Sequence, residues 1–304
     1  MTTTPSALRR LVDQALSEHA GAPATAARTL QQAVAALPGE PGDVAHLLRA
    51  AEHILLGHLD DADALVHLLQ QVAPHAEAAA DAKQALQRAR LAAALVEGLQ
   101  PLGASDLAPA DRIRALYNAA LAHTRRAQWA EAQARVEAAG RLAEAADAAA
   151  QKAYAAITNN LAADMRDGLR DEHGGDASRV ALMLDAACRA RDAWSRAGGW
   201  LETERADYQL ALCHAAAGQG ERAIVHARQC LATCEAHGAH AFERLFAHEA
   251  LARAHHSAGE DQVAQQHREH MAGFLTEIGD AELRGFAESA LRELDADLSR
   301  DVLQ

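Results

Sequence analysis

Apolar residues recur three and four positions apart along almost the whole chain, and Ala, Arg, Gln and Glu fill the positions between them. This spacing places the apolar side chains on one face of an α-helix, and the intervening residues are strong helix formers. Sustained alternation of apolar and polar residues, the signal of a strand, is missing. The pattern predicts 14 helices, over residues 6–20, 24–37, 43–57, 60–73, 75–97, 110–126, 129–149, 151–170, 177–197, 200–217, 220–237, 240–258, 260–278 and 280–302.

Small turn residues punctuate these helices at similar intervals, and three of the gaps between them are 41 residues long. Five residues after most of these turns stands an alanine on which the next helix can pack closely. Such self-similarity indicates a stacked array of helix pairs, an α-solenoid. The turns are Gly21, Gly57, Gly98, Ala127, Gly168, Gly218 and Gly259, and the alanines are Ala26, Ala62, Ala132, Ala223 and Ala264.

Three irregular stretches interrupt the array. Residues 38–42 hold two prolines and two glycines and must form a loop. Residues 99–109 occupy the place of a missing second helix and predict a degenerate repeat, whereas residues 169–176 lengthen one turn. We therefore expect a single solenoid over residues 1–304, with N-terminal units (1–97), an irregular linker (98–109), central and C-terminal units (110–279) and an amphipathic final helix (280–304) that either caps the stack or forms a dimer contact.

The segment from Leu116 to His123, followed by Ala127 to Ala132, resembles a tetratricopeptide repeat in its order of large, Tyr, Asn, small, small and then a small turn, an aromatic residue and Glu-Ala. Similar copies begin near Tyr208, Leu251 and His53. The resemblance implies an all-α, right-handed superhelix of stacked antiparallel helix pairs, whose first helices line a concave face. The chain departs from the family in its period, nearer 41 than 34 residues, and in the usual late proline, which is mostly absent.

The acidic balance of the chain argues against two classes of partner. Its net charge is −13 and its pI is about 5.7, and no run of Lys and Arg is longer than two. Nucleic acids and anionic membrane surfaces require a clustered positive face, so we expect neither. The first residues lack a secretory leader, and the four cysteines have no paired framework. We predict a cytoplasmic protein.

Seventeen histidines and four cysteines raise the question of a metal site. We assign His53, His123, His214 and His255 to one equivalent packing slot on the first helices, and a C-terminal group of six to solvated helix faces. Cys230 and Cys234 lie one turn apart, with Cys213, His214 and His226 in the same repeat, so a zinc site there is an open alternative to small buried side chains. We expect no metal and no cofactor. The C-terminal group comprises His237, His240, His248, His256, His267 and His270.

Catalytic signatures are also missing from the sequence. His248-Glu249 lacks the second histidine of the zinc-protease pattern, and there is no nucleophile elbow, phosphate loop or dinucleotide fingerprint. We therefore do not predict an enzyme.

The informative polar residues are the amides that recur on the first helices. Asn118 and Asn159 are 41 residues apart, Asn160 is an alternative to Asn159, and Gln209 occupies the slot of Asn118 in a later repeat. Amides offer a donor and an acceptor to the backbone of an extended peptide. The predicted partner-binding groove comprises Arg114, Tyr117, Asn118, Leu121, Arg125, Asn159, Asn160, Arg205, Tyr208, Gln209, Leu212, Glu249 and Arg253.

The sequence therefore favours a scaffold or adaptor that binds a peptide or helical segment of a protein partner. Tyr117 and Leu121 stand where the family's carboxylate clamp has Lys and Asn, so capture of a peptide C-terminus is not expected. Two alternatives remain: an effector-sensing solenoid of a transcription or signalling system, and a metal-dependent helical protein that uses the C-terminal His and Cys residues. The oligomeric state is open, and a dimer is one possibility.

Overall fold

The computed structural model describes residues 5–77, 79–99, 106–170 and 176–300. Within these ranges the chain forms 14 α-helices and no strand, which confirms the predicted all-α class. Two compact units divide inside the eighth helix: the N-terminal unit spans residues 1–154 and the C-terminal unit spans residues 155–304.

The N-terminal unit holds seven complete helices and the first part of an eighth. A π-helical turn, Glu52–His58, directly continues α3. The helices are α1 (Ala7–Glu18), α2 (Pro23–Ala35), α3 (Pro41–Ala51), α4 (Ala62–Ala76), α5 (Ala80–Val96), α6 (Pro109–Arg125), α7 (Trp129–Glu144) and α8 (Ala148–Asp167).

The C-terminal unit holds the end of α8 and six further helices: α9 (Ala177–Ala197), α10 (Trp200–Ala216), α11 (Gly220–Ala236), α12 (Ala241–Ser257), α13 (Asp261–Leu275) and α14 (Ala281–Arg300). All 14 predicted helices are therefore found. The largest boundary errors are at α5, which starts at Ala80 rather than 75, and at α7, which ends at Glu144 rather than 149. Half of the predicted linker (100–105) and most of the lengthened turn (171–175) lie outside the described residues.

Within each unit the helices pack mainly on their neighbours in sequence. Five antiparallel pairs are α1 with α2, α3 with α4, α6 with α7, α10 with α11 and α12 with α13. First helices of successive pairs also touch, α1 with α3 and α10 with α12, as in a helical solenoid. Four helices lie outside these pairs: α5 packs among α3, α4 and α6, α9 packs on α10, α14 packs on α12 and α13, and α8 contains the division between the two units.

Three of the five turns between paired helices, those of α6/α7, α10/α11 and α12/α13, share one backbone motif. Ala127, Gly218 and Gly259 adopt positive φ. The amide of the next residue donates to the carbonyl five residues earlier at 2.9 Å in all three turns, Gln128 to His123 being one case. This is the Schellman arrangement, which satisfies carbonyls that the helix end would otherwise leave without a donor.

The packing alanines follow these turns as predicted. Ala26, Ala132, Ala223 and Ala264 are each the fourth residue of a second helix and are completely buried. A larger side chain at this position would force the two helices apart, because helices cross closely only where small residues meet.

The pair α3/α4 departs from this pattern, and the prediction of a turn at Gly57 is wrong. Gly57 lies inside the π-helical turn, and the residue with positive φ is Asp60. The looser winding, in which the amide of Leu59 donates to Ile54 O at 3.1 Å, carries the helix three residues further. The buried fourth residue of α4 is accordingly Leu65 rather than Ala62.

Candidate functional site

The predicted groove residues lie on first helices, five in the N-terminal unit and eight in the C-terminal unit. Their role in partner binding stays a prediction. The structure places several of them inside the packed interior: the buried members are Asn118, Leu121, Gln209, Leu212 and Glu249.

In the N-terminal unit, Asn118 hydrogen-bonds to the carboxylate of a buried ion pair. Its side chain is 6% exposed, and Nδ2 donates to Glu52 Oε1 at 2.7 Å. Glu52 is completely buried and also accepts from Arg88 Nε at 2.7 Å. A buried carboxylate requires such donors, because an unpaired charge in the interior is very costly. The Asn118 amide therefore bonds α6 to the π-helical turn.

The other predicted residues of α6 differ in exposure. Arg114 is exposed and lies 3.4 Å from Asp111 Oδ1. Tyr117 is half-buried. Arg125 is exposed, and its Nε donates to Gly57 O at 3.1 Å.

In the C-terminal unit, three predicted residues form one network with α14. Tyr208 donates from its hydroxyl to Glu249 Oε2 at 2.9 Å, and Arg253 Nε donates to Glu249 Oε1 at 2.8 Å. Arg253 also reaches Asp297 Oδ2 at 2.6 Å. Burial and the neighbouring Glu249 raise the pKa of Tyr208 well above its usual value. This network joins α10, α12 and α14.

The remaining predicted residues of this unit have separate environments. Gln209 accepts from Arg166 at 3.0 Å through its side-chain oxygen. Arg205 is exposed and lies 3.5 Å from Glu243. Asn159 is half-buried and Asn160 is exposed, and the choice between them as the member of the amide slot stays a prediction.

An aromatic cluster lies beside this network, and the sequence analysis did not single it out. Phe242 and Phe246 of α12 contact each other with ring centroids 4.9 Å apart, and Phe286 of α14 lies 5.6 Å from Phe246. Tyr208 meets Phe246 edge-on at 5.8 Å. Phe286 is 63% exposed and Leu283, one turn before it, is 44% exposed. The cluster therefore reaches the surface.

Three of the four histidines assigned to a packing slot behave as predicted. The rings of His123, His214 and His255 are buried, and each Nδ1 lies 2.5–3.0 Å from the side-chain oxygen of the residue five positions later. That partner directly precedes the second helix. His53 does not belong to the set: Asp60 places the equivalent position at Leu56, and His53 is half-buried.

The sequence predicts that all six C-terminal histidines lie on solvated helix faces, but the structure shows that not all of them do. His237, His240 and His270 are exposed, but His248 is buried. His248 packs against His267, with their Nδ1 atoms 3.0 Å apart. Burial, followed by the neighbouring histidines, lowers the pKa of His248 to about 4.

The alternative zinc site is only partly assembled. Cys230 and Cys234 converge, but Cys213 does not join them and lies 3.8 Å from Ala162 O. Their neighbour is Glu204 of α10, whose Oε1 is 2.9 Å from Cys230 Sγ and 3.5 Å from Cys234 Sγ. All three residues are buried. No sequence motif indicates Glu204, because it comes from a different helix.

A second convergence occurs in the N-terminal unit. His19 follows α1, and His53 and His58 lie on the π-helical turn; one ring nitrogen from each lies within 4.8 Å of the others. The sequence pattern does not reveal this group, because it assigns His53 to the packing slot of the first helices. We call it the three-histidine cluster.

Comparisons with known proteins leave the family open. No family model matches the chain, and no curated protein matches it. Among the described helices, none is both long enough and apolar enough to cross a lipid bilayer.

Proposed function

We propose that this chain is a tetratricopeptide-like binding protein that takes up a basic, amphipathic segment of a protein partner at the α12–α14 end of its C-terminal unit. The observation that carries the proposal is the aromatic cluster of Phe242, Phe246 and Phe286, which reaches the surface at Phe286 on α14, a helix rich in carboxylates.

The apolar part of the surface supports an anchored contact. The chain has only four phenylalanines, and three of them meet here. Large aromatic side chains are enriched at the centres of protein interfaces, where they bury much area at little entropic cost. Leu283 and Phe286, three residues apart on α14, offer a continuous apolar strip to a partner.

The charge around the strip favours a basic partner. Between residues 280 and 297 the chain has six carboxylates and two arginines. Asp295 and Asp297 pair with Arg268 and Arg253, whereas the other four carboxylates are exposed. Complementary charge speeds encounter and selects partners, so Lys and Arg flanking an apolar side chain fit this surface. The exposed carboxylates are Asp280, Glu282, Glu288 and Glu293.

Site-specific photocrosslinking in the native cell tests the proposal. A photoreactive residue at position 286 should capture a partner through a basic amphipathic segment, and Phe286→Ala with Leu283→Ala should lower the affinity of that segment about tenfold or more. The matched control is Val225, which is 64% exposed on α11 of the same unit. Equal capture at positions 225 and 286, or a captured segment that is acidic, would contradict the proposal.

A further inference from the structure

The three-histidine cluster has the geometry of metal ligands around one ion. The ring centroids of His19, His53 and His58 are 4.7–5.1 Å apart, and every pair meets edge-on with interplanar angles of 63–88°. Packed imidazoles commonly stack face to face, as His214 and His226 do at 3°. In the edge-on cluster, one ring nitrogen from each of the three histidines lies within 4.8 Å of the other two.

The separations suit a transition metal. Nε2 of His53 and Nε2 of His58 are 3.2 Å apart. A tetrahedral zinc ion with Zn–N bonds of about 2.0–2.1 Å requires its nitrogens to be about 3.4 Å apart. The widest separation in the cluster is within 4.8 Å, so binding of one ion requires the rings to move closer together.

The hydrogen bonds prepare the rings as ligands. His19 Nδ1 lies 2.5 Å from Leu16 O, and because a carbonyl only accepts, Nδ1 carries the proton and Nε2 keeps its lone pair. Metal-binding histidines commonly donate their other ring nitrogen to a backbone carbonyl in this way. Between His53 and His58 two Nε2 atoms face each other, so at most one of them donates. Each neutral imidazole keeps one nitrogen lone pair, and a bound cation accepts one such pair from each of the three rings.

The backbone explains how His53 and His58 come together. In an α-helix, residues five apart point in different directions, whereas the π-helical turn bonds residues five apart and stacks them. Gly57 leaves room for this winding, since a Cβ there would lie 3.5 Å from His53 Nδ1 and 3.1 Å from a methyl of Leu121. Turns of this kind are frequent at functional sites.

The surroundings of the cluster act both for and against a bound metal ion. Arg125, whose Nε donates to Gly57 O, is the nearby cation and opposes binding of a second positive charge. The rings are half-buried, which leaves a side open to solvent.

We propose that His19, His53 and His58 bind one divalent transition-metal ion of the zinc class, with a fourth coordination position open to water or an exchangeable ligand. This proposal differs from the sequence-based expectation of a chain without a metal. The site lies in the N-terminal unit and is independent of the proposed partner surface.

The test uses the full chain, expressed without a histidine tag and stripped with a chelator. Calorimetric titration with Zn²⁺ should find one site per chain, and Co²⁺ should give the intense visible absorption of a four-coordinate ion. His53→Ala and His58→Ala should each lower Zn²⁺ affinity about tenfold or more, since even outer-sphere partners of metals are worth about 10–100-fold. The control, His67→Ala, removes an exposed histidine of α4 and should bind as the unaltered chain does.

Three results would overturn the inference. These are no binding by the unaltered chain, equal loss in the His67 control, or full binding by the variant lacking all three histidines with loss in Cys230→Ser. The third result would place the ion at the thiols. Circular dichroism checks the fold of each variant, and His19→Ala, at a helix end outside the π-helical turn, keeps the comparison valid if the π-turn variants unfold.

Discussion

Two groups of potential metal ligands among the described residues differ in the balance of hydrogen-bond donors and acceptors that they contain. The three-histidine cluster is half-buried and holds only nitrogen atoms that cannot all be donors. The group of Glu204, Cys230 and Cys234 is buried, but its two thiols can both donate to one carboxylate. Convergent ligand atoms are common to both, so proximity alone does not mark a metal site. The balance of donors and acceptors separates them: each thiol carries a proton that it can donate to the carboxylate, whereas each neutral imidazole keeps one nitrogen lone pair that a cation can accept.

The largest effect expected from this contrast is on thiol reactivity. The hydrogen bond with Cys234, followed by burial, raises the pKa of Cys230, so the reactive thiolate is scarce at Cys230. Alkylation of the folded chain should modify the exposed Cys188 first and the two buried thiols at least about 100-fold more slowly, since they require local opening. Mass spectrometry of timed samples measures the rates. Cys188→Ser should remove the fast phase, and rapid labelling of Cys230 would show that the group is open.

The histidine cluster should make the metal-free chain sensitive to acid. A histidine whose pKa falls from 6.5 to about 4 on folding contributes stability that is present above pH 6.5 and lost as pH falls towards 4. For His58, which is half-exposed, solvent screening reduces this to about 1–2 kcal/mol. His58→Asn should therefore flatten the loss of unfolding free energy between pH 6.5 and 4 in urea titrations. His67→Asn should leave the slope unchanged, and an identical slope in both variants would contradict the prediction.

A smaller effect on the free energy of unfolding, with the opposite pH dependence to that of His58, is expected at Glu204. Burial raises the pKa of this carboxyl, although the two thiols act to lower it. An acid with a raised pKa favours folding below its unfolded value and loses that contribution as pH rises through the folded value. Glu204→Gln should thus stabilise the chain by about 1 kcal/mol at pH 7, with the gain disappearing near pH 4.5. The exposed Glu269→Gln is the control, and destabilisation at pH 7 would show that the ionised carboxylate is needed.

Much of the fold could be predicted because it is encoded locally. Helix periodicity, left-handed turn residues and the alanines after them lie within one pair, so they are visible in the sequence. The π-helical turn left no such mark. It moved the turn three residues, from the predicted Gly57 to Asp60, and His53 was therefore wrongly assigned to the packing slot. Glu204 and His19 come from other helices than the residues that they contact. Asn118 hydrogen-bonds to Glu52, which lies 66 residues earlier in the chain. Only the packed structure reveals these contacts.

The histidine at the end of a first helix and its partner five residues later suggest a use beyond this molecule. His214-Ala-Ala-Ala-Gly218-Gln219 contains the backbone lock, the glycine and the ring contact within six consecutive positions. We expect that this hexapeptide, placed between two designed helices, sets the angle between them without contacts from neighbouring repeats.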